Sequence, residues 1–154
     1  MSADTEIESI RQLKYRYFRL LDQKKMDDLA KLMVPECTAA YHNGRHSYPD
    51  RHTLIEFLRG SIGQPYLLTM HHGHHPEIEL VSPTQAKGVW YLHDVVLHTG
   101  EKWRLEGNGF YDDRYRKVGN EWKIEHTGYR RTFELIQPLG EVQLLYNGFE
   151  EGPF

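Results

Sequence analysis

Apolar residues recur at helical spacing near the start of the chain. They fall at every third or fourth position, namely at Ile7, Ile10, Leu13, Tyr17, Leu20 and Leu21. A stripe of this kind is typical of an amphipathic helix that packs one face on a core. Thr5-Glu6-Ile7-Glu8 has the spacing of a capping box, which predicts the start of that helix.

A second, shorter helix is predicted directly after the first. Asp27-Asp28 would lie in its first turn, where acidic side chains interact favourably with the helix dipole. Its apolar positions are Leu29, Leu32 and Met33. Pro35 is expected to end it, because proline interrupts the helical hydrogen bonds.

A hairpin and a third helix follow. Thr38–Tyr41 is strand-like, and Asn43-Gly44 is a favourable pair for the turn of a hairpin. Pro49-Asp50 predicts a helix start, and Gly60 or Gly63 a helix end. The buried face of this helix would consist of Leu54, Ile55, Phe57 and Leu58.

The remainder of the chain is strand-like. Predicted strands cover Tyr66–His72, Glu77–Leu80, Gln85–His98, Trp103–Val118 and Glu121–Phe133, and tight turns join the last three. Helices followed by an antiparallel meander indicate an α+β domain, with the helices on one face of a curved sheet. We expect a single domain over residues 1–154 with a core of about 5–134, and residues 135–154 as a lid, an interface strap or a frayed end.

Composition narrows the possible functions. The 154 residues include ten Tyr, and aromatic residues make up 12% of the chain, which suits a ligand pocket or an oligomer interface. The formal net charge of −3, without a run of either sign, argues against a nucleic-acid or membrane partner. The single Cys37 excludes an internal disulfide and a cysteine-based zinc site. The charged start has no signal-peptide pattern, so we expect a cytoplasmic protein.

The candidate chemistry combines the end of the first helix with the histidine-rich segment Met70–His75. If Asp22 and a histidine from the other element meet in an apolar pocket, they form a general acid/base pair. Two ordinary alternatives stay open: Asp22 as a solvated acid at a helix end, and Tyr17 as a core tyrosine on the apolar stripe.

Five short sequence motifs, in their order along the chain, resemble those of the SnoaL-like branch of the nuclear transport factor 2-like cone. They are Tyr17-Phe18-Arg19-x-Leu21-Asp22, His71-x-Gly73-His74-x-Pro76-Glu77-Ile78, Gly88-x-Trp90-Tyr91-Leu92-x-Asp94, Phe110-Tyr111-x-Asp113-x-Tyr115 and Thr127-Gly128-Tyr129-x-Arg131. The chain is similar to the dehydratases of that branch, such as bile acid 7α-dehydratase and scytalone dehydratase. The cone hosts many reactions, so the resemblance is more specific for fold than for substrate.

The resemblance implies a cofactor-independent lyase that removes water from a hydroxylated polycyclic or aromatic ketone. It implies the catalytic residues Tyr17, Asp22, His71 and Arg131. We expect further substrate contacts from His74, Trp90, Asp94 and Tyr111. An isomerase resembling ketosteroid isomerase and a non-catalytic carrier of small hydrophobic ligands are the alternatives. No cofactor or metal is expected, and the resemblance implies a homo-oligomer, a trimer or a dimer.

Geometry leaves some of these assignments open. Tyr17 and Asp22 are five residues apart, so an ideal helix places them about 140° apart around its axis. Strict alternation along the last strand points Arg130 inward, and a bulge, for which Gly128 is the candidate position, would turn Arg131 inward instead. His72 and His75 lie beside the matching histidines, so the histidine that faces the pocket is undecided. Asp94 either reaches the cavity or caps a strand edge, and Trp90 and Tyr111 belong to the cavity wall or to the core.

Overall fold

The helices lie at the start of the chain and the strands follow, as the residue pattern predicts. The computed structural model describes residues 2–154. Its helices are α1 (Ala3–Asp22), α2 (Met26–Lys31) and α3 (Arg51–Gly60). Its strands are β1 (Met33–Tyr41), β2 (His46–Tyr48), β3 (Leu67–Ser82), β4 (Gln85–His98), β5 (Trp103–Val118) and β6 (Glu121–Pro138). A short 3-10 helix, Gly148–Glu150, lies near the C-terminus.

The six strands form one curved sheet in the order β2-β1-β6-β5-β4-β3. All neighbours are antiparallel except β1 and β6, which are parallel. The helices cover one face of the sheet, where the buried apolar residues of both layers form one core. This arrangement confirms the predicted α+β cone of the nuclear transport factor 2-like type.

Helix α1 begins earlier than the capping-box prediction, which is wrong. Ser2 is the N-cap, and its hydroxyl accepts a hydrogen bond from the Thr5 backbone N–H. Thr5 therefore lies inside the first turn, where it cannot cap the helix. The predicted apolar stripe is confirmed from Ile10 to Leu21, while Ile7 is only half-buried.

The second helix also ends before the predicted position. It stops at Lys31, and both Met33 and Pro35 belong to β1. The pairing of β1 with β6 is irregular between Met33 and Thr38, so the missing N–H of Pro35 falls in an interrupted part of the ladder. The predicted hairpin turn and the start of α3 at the Asp50 cap are confirmed.

Two predicted strands are one in the structure. Strand β3 runs from Leu67 to Ser82 and crosses the histidine-rich segment without a break. Its pairing with β4 shifts between His74 and Glu77, where His75 has a φ of 48° and Pro76 follows. A bulge accommodates the proline, because the ladder needs no N–H at that point.

The face of the sheet that the helices do not cover carries several exposed aromatic side chains. They include Tyr91, Phe110 and Phe133. Residues Leu139–Leu144 of the tail lie beside Val95 and Leu97 of this face. An exposed apolar patch marks an interaction site more often than chance allows, so homo-oligomer formation stays a prediction. Within residues 2–154 there is no helix with the length and apolar character of a membrane span.

Helix α1 contacts β3 through Phe18 and Gly73. Phe18 is 6% exposed, and a Cβ atom on Gly73 would overlap its ring. The absence of a side chain at Gly73 therefore sets how closely the helix approaches the strand. This approach determines whether the end of α1 can reach the side chains of β3.

We predict that Gly73→Ala destabilises the protein by about 1–3 kcal/mol, because the added methyl group overpacks the contact with Phe18. Urea denaturation measures the free energy of unfolding. The matched control is Gly60→Ala, since a Cβ there meets no atom within 4 Å. An equal loss of stability in both variants would contradict the proposed packing constraint.

Candidate active site

One row of residues across the inner face of the sheet provides much of the site. His71 on β3 is the register partner of Asp94 on β4, and Asp94 is the partner of Gly107 on β5. Gly107 in turn pairs with Glu134 on β6. Residues in register on neighbouring strands lie about 5 Å apart and share a face, so this row brings four separate strands to one place.

Asp22 and His71 form the predicted pair. The carboxylate oxygen Oδ1 of Asp22 lies 2.6 Å from Nδ1 of His71. The same oxygen accepts a hydrogen bond of 2.9 Å from the Thr69 hydroxyl, and Oδ2 accepts one of 2.8 Å from the His71 backbone N–H. Asp22 is therefore held by three hydrogen bonds to one strand, and it is not a freely solvated helix-end acid.

These hydrogen bonds define the tautomer of His71. An ionised carboxylate only accepts hydrogen bonds, so Nδ1 of His71 carries the proton in the contact with Asp22. The other nitrogen, Nε2, then has a free lone pair, and no hydrogen bond occupies it in the described part of the chain. The arrangement makes Nε2 a base whose orientation is set by a carboxylate behind it.

His71 lines a cavity of about 220 Å³ that is partly open to solvent. The lining residues are Tyr17, Leu21, Tyr41, Phe57, Leu58, Ser61, Ile62, His71, Asp94, Val96, Leu105, Tyr111, Tyr129, Arg131 and Glu134. Asp22 is not among them. Tyr17 and His71 face the cavity while Asp22 supports His71 from behind, so the angle between Tyr17 and Asp22 around the helix is no obstacle.

Arg131 also faces this cavity, paired with Asp94. Its two terminal nitrogens, Nη1 and Nη2, each donate to one carboxylate oxygen of Asp94, and the Nη2–Oδ2 distance is 2.8 Å. Both side chains are buried. A Cβ atom on Gly107 would overlap the guanidinium and approach the Asp94 carboxylate. Gly107 therefore leaves the space in the row that this ion pair fills.

A β-bulge turns Arg131 inward, although not at the candidate position. Ile124 pairs with Tyr115 and His126 with Arg114, so Glu125 is an extra residue between them. The extra residue reverses the alternation of faces along β6. Arg131 then points into the cavity and Arg130 is exposed. The bulge thus lies at Glu125 and not at Gly128, the candidate position, where the register is regular.

Hydroxyl groups from several tyrosines lie at the cavity. Tyr17 and Tyr41 are hydrogen-bonded through their hydroxyl oxygens, 3.0 Å apart, and Tyr41 stacks on Tyr129. Burial raises the pKa of Tyr17, Tyr41 and Tyr111 above the ordinary tyrosine value. These phenols therefore stay protonated at neutral pH. When the Tyr41 hydroxyl donates to Tyr17, the Tyr17 O–H is left to donate to a ligand.

A buried ion pair beneath the tyrosines was not predicted. Lys14 Nζ lies 2.7 Å from Asp113 Oδ2, and both side chains are fully buried. Burial lowers the pKa of the Lys14 ammonium, and the Asp113 carboxylate opposes that shift. The ammonium also lies 4.3 Å and 3.7 Å from the ring centroids of Tyr17 and Tyr111. One signal was available in the sequence: Lys14 interrupts the apolar face of α1.

This pair continues into a hydrogen-bonded chain that contains Trp90. The Tyr115 hydroxyl donates to Asp113 over 2.7 Å, and Trp90 Nε1 donates to the Tyr115 oxygen over 2.9 Å. Trp90 is fully buried in the core and is not part of the cavity wall. Tyr111, which pairs with Trp90 across the sheet, does line the cavity.

The other histidines of β3 lie outside the cavity. His74 is exposed and stacks on His72, which stacks in turn on His93 on the opposite face of the sheet from His71. The structure thus brings His71, and not His74, to the other site residues. Among residues 2–154 no group of three or more His, Cys, Asp or Glu side chains is arranged to hold a metal ion.

We predict that Lys14→Met costs about 3–5 kcal/mol of stability, because it leaves the Asp113 carboxylate buried without its counter-ion. Removing both charges in a Lys14→Met, Asp113→Leu double variant should restore most of that loss. Chemical denaturation of the single and double variants measures the difference.

The exposed pair Lys31–Asp28 is a matched control, since its nitrogen and oxygen are also 2.7 Å apart. Lys31→Met should change the free energy of unfolding by at most about 1 kcal/mol, because water already solvates both charges. If Lys14→Met cost no more than Lys31→Met, the buried Asp113 carboxylate would not depend on Lys14 as its counter-ion.

Comparison with known proteins agrees with this fold. A crystal structure named "Putative Scytalone Dehydratase" from Novosphingobium aromaticivorans is 26% identical, with a TM-score of 0.79 over 90% of this chain and 96% of that one. The hexachlorocyclohexane dehydrochlorinase LinA-type3 from Novosphingobium barchaimii is 14% identical, with a TM-score of 0.78 over 92% and 95% of the two chains. A "Probable cyclase" of Gibberella zeae is 23% identical over 80% of this chain and 89% of its own length. The profile of the SnoaL-like domain matches residues 4–128. The chain belongs to the SnoaL-like domain family.

Proposed function

We propose that this protein is a cofactor-independent dehydratase that removes water from a hydroxylated aromatic ketone. The observation that carries the proposal is the Asp22–His71 pair, in which Nδ1 is held by the carboxylate and Nε2 is free toward an aromatic-lined cavity. A base in this setting acts on a carbon acid rather than on bulk water.

The reaction begins with transfer of a proton. Nε2 of His71 removes a proton from the carbon next to the substrate carbonyl, and negative charge develops on the carbonyl oxygen. Asp22 stabilises the imidazolium that forms. The Tyr17 phenol is a neutral donor at the cavity wall, and a donor of this kind directed at the developing enolate lowers the barrier by several kcal/mol.

Loss of water completes the reaction. The enolate re-forms its carbonyl, a carbon–carbon double bond forms, and the bond to the β-hydroxyl oxygen breaks. The His71 imidazolium returns its proton to that departing oxygen, which leaves as water. One imidazole accepts and then donates the same proton, so elimination takes place on one face of the substrate and His71 is regenerated.

The size of the cavity supports a small ring system. Its volume is about 220 Å³, whereas an apolar cavity of about 150 Å³ already accepts benzene. Four tyrosines and Phe57 supply flat aromatic surfaces along its wall. A ketone with one or two rings fits these dimensions, and because the cavity opens toward solvent, further rings of a larger substrate can extend outside it.

The names of similar proteins support lyase-type chemistry. One similar structure is named as a scytalone dehydratase, and another is a dehydrochlorinase. Dehydration and dehydrochlorination both remove a proton and a leaving group from adjacent carbons. A positioned base beside an apolar cavity serves either reaction, which is consistent with the role proposed for His71.

The test uses a panel of one- and two-ring β-hydroxy ketones, monitored for the absorbance of the conjugated enone. We predict that Asp22→Asn and His71→Gln lower kcat/KM by about 10²- to 10⁴-fold, the range that general acid–base catalysis contributes. His72→Gln is the matched control, because the neighbouring residue faces the other side of the sheet.

Two outcomes would contradict the proposal. Absence of turnover across the panel is one, and turnover that Asp22→Asn and His71→Gln leave unchanged is the other. Solvent deuterium that enters the substrate without loss of water would indicate an isomerase with the same pair of residues. Ligand binding that does not respond to His71→Gln, together with no turnover, would indicate a carrier.

A further inference from the structure

An arginine in a cavity wall can bind an anionic ligand, but Arg131 is already surrounded by acidic side chains. Asp94 occupies one N–H of each terminal nitrogen, and Glu134 Oε2 lies 3.2 Å from Nε. Within the described residues, the cavity wall thus contains one guanidinium and two carboxylates. Arg131 brings one positive charge, and its two neighbours more than balance it.

Burial strengthens the interaction between the Arg131 guanidinium and its two carboxylate neighbours. The side chains of Arg131 and Asp94 are 8% and 5% exposed, so little water screens their charges. Glu134 is 31% exposed and stands at the solvent side of the pair. A carboxylate or phosphate that entered the cavity would therefore meet an arginine that is already hydrogen-bonded to Asp94 and has the Glu134 carboxylate 3.2 Å from Nε.

We propose that Glu134 is a specificity-determining residue that neutralises Arg131 and so restricts the cavity to uncharged ligands. This deepens the proposed function, on which it rests for the identity of the site. Arg131 keeps an unshared N–H on Nη1 and on Nη2 for a neutral acceptor such as a carbonyl oxygen. The substrate is then an uncharged hydroxy ketone, and an acid or phosphate ester of the same ring system is rejected.

The row of register partners explains why Glu134 is in this position. Glu134 pairs with Gly107, and the space above that glycine holds the guanidinium. On β6, Thr132 is an extra residue between the pairs Gly109–Arg131 and Asn108–Phe133. This second bulge lets Arg131 and Glu134, three residues apart, face the same cavity.

The experiment compares two probes of one shape, 2-naphthol and 2-naphthoate. Calorimetric titration at pH 8 measures both affinities under conditions where 2-naphthoate is an anion. The wild-type protein should bind 2-naphthol at least about tenfold more tightly than 2-naphthoate. Glu134→Gln should reduce this ratio by about three- to fivefold, as expected for a partly exposed charge.

Glu79→Gln is the matched control, because it changes the net charge equally on a surface remote from the cavity. Higher salt should also reduce the ratio of 2-naphthol to 2-naphthoate affinity, because it screens the repulsion between the carboxylates. The Debye length falls from about 30 Å at 0.01 M to about 3 Å at 1 M. Asp94→Asn should reduce the ratio further in whatever fraction remains folded, as judged by its thermal unfolding.

Three results would overturn the inference. They are equal wild-type affinity for the two probes, a ratio that Glu134→Gln changes no more than Glu79→Gln does, and failure of 2-naphthol to bind. None of these measurements needs turnover. If the proposed dehydration fails but the ratio responds to Glu134→Gln, charge selection stands and only the assigned reaction is wrong.

Discussion

The contact between helix α1 and strand β3 is the constraint on which the site depends. Burying the Phe18 side chain, in part against Gly73, contributes about 1.5–3 kcal/mol. Each hydrogen bond of the Asp22 carboxylate is of similar size, so apolar packing and these bonds together hold the end of the helix at the strand. The hydrogen bonds of Asp22 with Thr69 and His71 then select one arrangement at that point of contact.

Buried charges are tolerated in this protein because each has a partner of opposite sign. Lys14 lies against Asp113 beneath the tyrosines, and Arg131 lies against Asp94 in the cavity wall. An isolated charge in either position would cost several kcal/mol. The pairs contribute specificity of orientation more than stability, since hydrophobic replacements of similar volume fold as well in other proteins. In this site the orientation determines which Arg131 donors face a ligand.

The two faces of β3 carry different kinds of histidine: one at the candidate site and the others at the surface. His71 points toward the helices and is oriented by Asp22, whereas the adjacent His72 points away and stacks on other imidazoles. Alternation along a strand produces this division without any further device. A family that retains such a strand can change the outer residues for association or solubility while the inner residue keeps its contact with the helix.

The spacing of apolar residues was sufficient to predict the helices, the meander and the α+β class. Short motifs that resemble a known family predicted the Asp22–His71 pair. What the sequence did not determine were the positions of bulges and the partners of buried charges. The extra residue Glu125 directs Arg131 inward, and nothing in the local sequence marks it, because a bulge arises from the register with a neighbouring strand. Lys14 and Asp113 are distant in sequence and meet only through packing of helix on sheet. Only the tertiary structure determined the bulge positions and the partners of the buried charges. The free energy of a buried charge depends on the groups that surround it in space and not on its neighbours along the chain.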